Sequence, residues 1–322
     1  MTVKPLKVGL VGAGRMAREH ARAFGDIADV ELAGIVGRTT ARAADVAQEF
    51  SIGKTFSSIA EMIVTIQPDI LVVAVPELLT VAVMRECVGK TAAILVEKPV
   101  GVDLSHCRTV RDLAAGAGTP VFVGLNRRSY GSTRAAVDAL GTENGARFIE
   151  VHDQEDIAAA RKAGRPEEVI RNWMFANSIH MIDLLRVFGR GDVTSVNFVQ
   201  PWRGEAPAHV VTHLTFSSGD AGLYHAVWNM PGPWSCAVTT AARRVEMRPV
   251  ESSRMQVAGS REVTELPADP RDTAFKPGFR LQAEEVAGFA RSGAAPRHVP
   301  DIAEALATTE LVARLYAQGA AA

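Results

Sequence analysis

LKVGLVGAGRMAREHARAF, from Leu6 to Phe24, is the stretch on which the fold turns. Six residues dominated by leucine and valine read as a strand buried on both faces. Gly12-Ala13-Gly14-Arg15-Met16-Ala17 then interrupts the apolar run, and AREHARAF continues with helical spacing. The first glycine permits a tight turn. The second lets backbone N–H groups approach a pyrophosphate, which the positive end of the helix stabilises. Gly-x-Gly-x-x-Ala alone is a weak signal. Here it stands between a strand and a helix, and a second strand, VELAGIV (Val30–Val36), follows at the expected distance. It therefore marks a dinucleotide-binding turn, with Gly12, Ala13, Gly14, Arg15 and Met16 as the candidate contacts.

Outward from this turn the chain keeps a regular rhythm. LKVGLV, VELAGIV, DILVVAV, AAILV and PVFVG alternate with helical stretches such as ARAADVAQEF and LSHCRTVRDLAAGAG. Near-continuous Val/Ile/Leu strands alternating with helices predict an α/β, doubly wound parallel sheet of the Rossmann type, placed over residues 1–124. Beyond Gly124 the runs RFIEVHDQED, DVTSVNFVQ, HVVTHLTFSS, AGLYHAVWNM and SCAVTTA are longer and alternate more. They predict an α+β domain over residues 125–322 with an open, mainly antiparallel sheet. IHMIDLLRVFG, LQAEEVAGFAR and DIAEALATTELVARLYAQ are expected as helices flanking it. Arg161, Lys162, Arg165, Glu167 and Glu168 read as a solvated loop.

Composition narrows the function class. The chain has 322 residues, 47% hydrophobic and 22% charged, with a formal net charge of −1. That balance gives no reason to expect a nucleic-acid partner or an acidic membrane surface. No apolar run reaches the ~20 residues needed to span a bilayer. Cys87, Cys107 and Cys236 are too few and too scattered for a disulfide framework or a metal site, so they are expected as buried thiols in a cytoplasmic protein. His209 and His213 share one strand face without a nearby carboxylate or thiol at ligand spacing, and no metal is expected.

The carboxyl ends of the strands are where such sheets bind ligands. The second strand ends in Gly37-Arg38-Thr39-Thr40, where an NAD-type site places an acid for the ribose hydroxyls. Gly37 removes a carboxylate that would repel a 2′-phosphate, and Arg38 supplies a guanidinium that can pair with it. The plain alternative is a solvated surface arginine. Gly37 and Arg38 favour NADP(H), with NAD(H) as the alternative, and Arg38 and Thr39 join the cofactor candidates.

AAILVEKPVG, Ala92 to Gly101, is a buried strand ending in two charges and a proline. Such an end must open on water or on a ligand. Together with Val11-Gly12-Ala13-Gly14, Asp69-Ile70 through Val75-Pro76, Gly124-Leu125-Asn126-Arg127-Arg128 and His180-Met181-Ile182-Asp183, the segment Val96-Glu97-Lys98-Pro99 resembles the Gfo/Idh/MocA oxidoreductase family (glucose-fructose oxidoreductase, inositol dehydrogenase, rhizopine catabolism). The resemblance implies hydride transfer between a nicotinamide and a sugar or polyol carbon. It makes Lys98 the acid–base residue beside the reacting oxygen and His180 its partner. Pro76 and Glu97 lie toward the cofactor in this view, and Arg127, Trp173, Asn177, Lys98 and His180 toward the substrate.

Two departures from the family's pattern stand out. Ala176 occupies the place of an aspartate four residues before the histidine, and Glu77-Leu78 replaces Asn and His after Pro76. The sequence therefore points to an NAD(P)-dependent oxidoreductase acting on a secondary hydroxyl or ketone of a sugar, polyol or sugar derivative. A nucleotide-sugar dehydrogenase or ketoreductase is one alternative, and a non-enzymatic sugar-sensing regulator on the same fold is another. The regulator needs neither Lys98 nor His180. Alternating runs with one face that no helix covers predict a homodimer or homotetramer packed through the sheet.

Overall fold

The computed structural model describes residues 4–142 and 144–317. It divides into two compact units, one running to Ser129 and including Arg271–Leu306, the other comprising Tyr130–Pro270 and the chain from Ala307 onward. The first unit therefore extends past the expected boundary at residue 124 and includes a later segment that the sequence placed in the second domain.

In the first unit six parallel strands lie in the order β3-β2-β1-β4-β5-β6. They are β1 (Leu6–Val11), β2 (Val30–Val36), β3 (Thr55–Phe56), β4 (Ile70–Val73), β5 (Ala93–Val96) and β6 (Val121–Val123). Every residue of β4 and β5 is buried, as the unbroken runs ILVV and AILV require of strands covered on both faces. β3 is only two residues long and offers no pattern to read. Intervening helices start on side-chain caps, with Thr39, Ser58 and Asp103 accepting from the backbone N–H of Arg42, Glu61 and His106.

The helix Phe279–Ser292 packs in this unit, although the sequence set LQAEEVAGFAR beside the antiparallel sheet. Its Phe279, Ala283, Val286 and Ala287 join Val8, Leu10, Phe24, Ile35 and Leu95 in one core. Spacings of four, seven and eight residues form one apolar stripe, and the helix Arg15–Gly25 packs against it. An amphipathic stripe does not reveal which of two sheets it will cover.

The second unit contains eight strands in the order β14-β13-β12-β11-β7-β10-β9-β8. These are β7 (Phe148–Glu155), β8 (Val193–Gln200), β9 (Ala208–Phe216), β10 (Ala221–Trp228), β11 (Ser235–Thr239), β12 (Arg243–Met247), β13 (Arg254–Val257) and β14 (Val263–Glu265). All pairs are antiparallel except β7 with β10. Val210, Thr212, Leu214 and Phe216 of β9 and Tyr224, Ala226 and Trp228 of β10 are buried, and the helix Ile179–Phe188 packs on β7 and β11. On the other face Val211, His213, Leu223 and His225 are only half covered and His209 is exposed. The expected charged loop is instead two short helices, Ile157–Lys162 and Glu167–Arg171, joined by an exposed Arg161–Glu167 ion pair of 2.7 Å.

Candidate functional site

At the end of β1 the chain turns through Gly12 with φ +116°. A Cβ there would lie 2.1 Å from the carbonyl oxygen of Ala74, just beyond β4, so no larger residue fits. Two backbone bonds of 2.8 Å, Gly12 N–H to Val36 and Ala74 N–H to Val11, fix the turn between β2 and β4. Gly14 is the N-cap of the helix Arg15–Gly25. It has no capping side chain, there is no acid in the helix's first turn, and nothing lies within 4 Å of where its Cβ would be. The open space in front of unclaimed helix N–H groups suits a pyrophosphate, and these residues fit a nicotinamide dinucleotide.

Gly37 sits tightly, since a Cβ there would come 3.0 Å from that of Ala13 and 3.3 Å from that of Ala43. Beside it Arg38 is exposed and makes no hydrogen bond or ion pair among the described residues. Thr39 spends its hydroxyl on capping the helix Thr40–Glu49. Pro76 is exposed and opens a short turn, Glu77–Leu79, in which Leu78 and Leu79 are 41% and 46% exposed.

The Glu-Lys-Pro turn leaves β5 between two neighbours. Glu97 N–H bonds to Val73 O and Gly124 N–H to Val96 O, both at 2.8 Å. The Glu97 carboxylate, expected to face the cofactor, instead places Oε1 2.7 Å from Nε2 of His20 on the glycine-loop helix. His20 is wholly buried, with its ring 4.6 Å from that of Phe279. Gly124 leaves room for the carboxylate, because a Cβ there would stand 3.2 Å from Oε1. Lys98, the next residue, is half-buried at the mouth of this turn. The sequence reading missed His20, though a signal was present. Ala17, His20, Ala21 and Phe24 fall on one helical face, so the histidine lies among core residues. Farther along, Asn126 donates to Pro277 O at 3.0 Å, Arg127 is buried and Arg128 pairs with Glu304 at 3.5 Å.

In the second unit His180, Trp173 and Asn177 lie on one segment. A π-helical turn, Met174–Ser178, runs directly into the helix Ile179–Phe188, whose second residue is the buried His180. Such turns recur at functional sites. Trp173 Nε1 and Asn177 Nδ2 donate to one oxygen of Glu155, Oε2, at 2.6 and 2.8 Å, and Ser178 Oγ donates to Oε1 at 3.1 Å. The polar groups of Trp173 and Asn177, expected to face the substrate, thus serve a buried carboxyl on β7 that the sequence reading did not single out. Its signal was the alternation of FIEVHDQE, which places Asp153 and Glu155 on the same buried face as Ile149 and Val151. Asp183 accepts from Thr308 Oγ1 at 2.7 Å and belongs to the packing of its helix.

Among the described residues no group of three or more His, Cys, Asp or Glu side chains could hold a metal ion. Nor is any helix among them long and apolar enough to cross a membrane. The three cysteines are buried free thiols, and burial pushes that of Cys87 up to about 12.

Comparisons with known proteins agree with the Rossmann fold of the first unit. Residues 6–125 match the model of an oxidoreductase family with an NAD-binding Rossmann fold. Glucose-6-phosphate 3-dehydrogenase of Bacillus subtilis is 28% identical over 158 residues, covering 48% of this chain and 44% of that protein. The rhizopine catabolism protein MocA of Rhizobium meliloti is 30% identical over 122 residues, 38% of each. These matches span under half of either relative. The fold extends further: UDP-N-acetylglucosamine 3-dehydrogenase GnnA from Acidithiobacillus ferrooxidans superposes with a TM-score of 0.77 at 16% identity, covering 98% of this chain and 97% of that one. Residues 6–125 therefore carry the NAD-binding Rossmann domain characteristic of the Gfo/Idh/MocA oxidoreductases.

Proposed function

We propose that this protein is an NAD(P)-dependent oxidoreductase that moves hydride between nicotinamide and a secondary hydroxyl, or the matching ketone, of a sugar, polyol or sugar derivative. One observation carries the reading: the turn bearing Lys98 leaves the strand next to β4, whose end packs against the glycine loop. The bound cofactor supplies the hydride acceptor or donor. Lys98 then has the proton to manage. In alcohol oxidation it holds the substrate oxygen as charge develops on it and accepts its proton, and in ketone reduction it returns that proton. In the second unit, His180 is the residue that the family's pattern suggests for substrate contact. Arg15 and the N–H groups after Gly14 hold the diphosphate.

NADP(H) is the preferred cofactor in this proposal, supported by the exposed Arg38, which has no partner among the described residues, and by a glycine rather than an acid at position 37. Assembly through the half-covered sheet face into a dimer or tetramer, and a cytoplasmic setting suited to three free thiols, belong to the same reading. A nucleotide-sugar substrate gains little from Arg127 and Arg128, because the first is buried and the second is paired with Glu304. Screening free sugars, polyols and nucleotide sugars for a change in nicotinamide absorbance tests the reading. Turnover on a free sugar or polyol is expected. Sugar binding without turnover would make the protein a sensor instead.

A further inference from the structure

We propose that Asp153 and Glu155 hold a single proton between them and that this pair positions the segment presenting His180. The inference rests on the reading of His180 as part of the site. Both carboxyls come from β7, two residues apart on its inward face, and are 1% and 0% exposed.

The hydrogen bonds converge on the pair from three elements. Trp173, Asn177 and Ser178, in the segment leading to His180, all donate to Glu155. From β10, Tyr224 O–H donates to Asp153 Oδ2 at 2.7 Å, so Tyr224 must accept in turn from Tyr316, 2.8 Å away. Tyr316 accepts from Trp228 Nε1 at 3.2 Å. Every one of these donors is uncharged. Two carboxylates facing these uncharged donors would carry two negative charges out of water, a cost that adding one proton largely removes. Burial first, and the Asp153 carboxylate second, lift the Glu155 carboxyl well above the usual carboxylate range, while the Asn177 and Trp173 bonds pull the other way.

The positioning follows from where the donors sit. Trp173 precedes the π turn, Asn177 and Ser178 close it, and His180 follows two residues later. One carboxyl thus clamps both ends of the turn, and the rotational phase of His180 about its helix depends on that clamp. Neutral Glu155 is still able to accept both N–H groups on Oε2. That atom acts as the carbonyl oxygen of an acid, leaving the O–H for Asp153.

Glu155→Gln reproduces the protonated acid, its carbonyl accepting from Trp173 and Asn177 and its amide donating to Asp153. Glu155→Met has similar bulk and accepts nothing. Infrared difference spectra at neutral pH should show the band of a protonated carboxylic acid in the parent and not in Glu155→Gln. The His180 ring resonance, assigned by its loss in His180→Asn, should keep its position in Glu155→Gln and move in Glu155→Met, with folding checked by thermal melts. Turnover on a substrate found by the screen should fall tenfold or more in Glu155→Met and stay within about threefold in Glu155→Gln. A missing acid band overturns the proposal, and so does a Gln variant that disturbs His180 as much as Met does. If Glu155→Met does not fold, the infrared band and the Gln variant still decide. Full turnover in His180→Asn would defeat the reading of His180, while the infrared band would still report whether the pair shares its proton.

Discussion

His20 Nε2 and Glu97 Oε1 lie 2.7 Å apart in the interior of the cofactor-binding unit. The bond ties the helix that begins at the glycine loop to the turn that ends in Lys98. Two segments of the candidate site far apart in sequence are thereby held in one geometry, and water has almost no access to compete for the contact, since the histidine is fully buried.

Removing that partner should be felt in both stability and chemistry. His20→Leu leaves a mostly buried carboxylate short of a donor, with an expected loss of about 1.5–3 kcal/mol and several degrees in melting temperature. Gly124→Ala, which presses on the same carboxylate, should act in the same direction but less strongly. Calorimetric melts of the two variants measure this. An unchanged melt for His20→Leu would mean that the bond adds nothing.

Lys98→Met keeps the length of the side chain and loses its proton chemistry. Cofactor affinity should stay within a few-fold while kcat falls by roughly 10² or more. Steady-state kinetics and a cofactor titration on one preparation separate the two. A lower melting temperature with the folded fraction fully active would reduce Lys98 to a strand terminus.

Cofactor choice should turn on two adjacent residues. The parent is expected to bind NADPH more tightly than NADH, Arg38→Ala to lose that preference and Gly37→Asp to reverse it. Position 37 is crowded by Ala13 and Ala43, so Gly37→Ala is the control for packing. Calorimetric titration of both cofactors decides the matter, and equal affinities in the parent would refute the preference.

The open sheet face should respond to acid. His225 lies 5.2 Å from His152, ring to ring, and its pKa is held below the ordinary value first by burial and then by His152 and His209. The unfolded chain binds this proton more readily, so stability should be full above the ordinary histidine pKa of about 6.5 and decline as pH falls below it. His225→Gln should flatten that decline in melts taken across the range. Light scattering on the same samples should show a dimer or tetramer at neutral pH, and a monomer throughout would exclude assembly through this face.

Much of this architecture was legible in the chain because the first half repeats one physical pattern. Continuous apolar strands can only be buried on both faces, and Gly12 and Gly14 sit where backbone must come close to backbone or to a ligand. Lys98 and His180 stand out as candidates through the motifs around them. His20 and Glu155 were harder, because each lies on a core face where a polar residue reads first as a satisfied neighbour, and only tertiary contact reveals what it satisfies. Trp173 and Asn177 were legible as polar groups near His180, but their partner on β7 was invisible, since nothing local links residue 155 to residue 177. The destination of Phe279–Ser292 escaped for the same reason.

That returning helix has a consequence for anyone who would cut or recombine this gene. A fragment ending near residue 125 contains the whole parallel sheet and both glycines, yet lacks Phe279, Ala283, Val286 and Ala287, which complete its core. It would leave Phe24 and the ring of His20 without their cover, and should be recovered as aggregate rather than as a free nucleotide-binding module. Chimeras between relatives that exchange the cofactor half at a single crossover would mismatch this seam. Those that carry residues 271–306 along with the amino-terminal segment keep it intact.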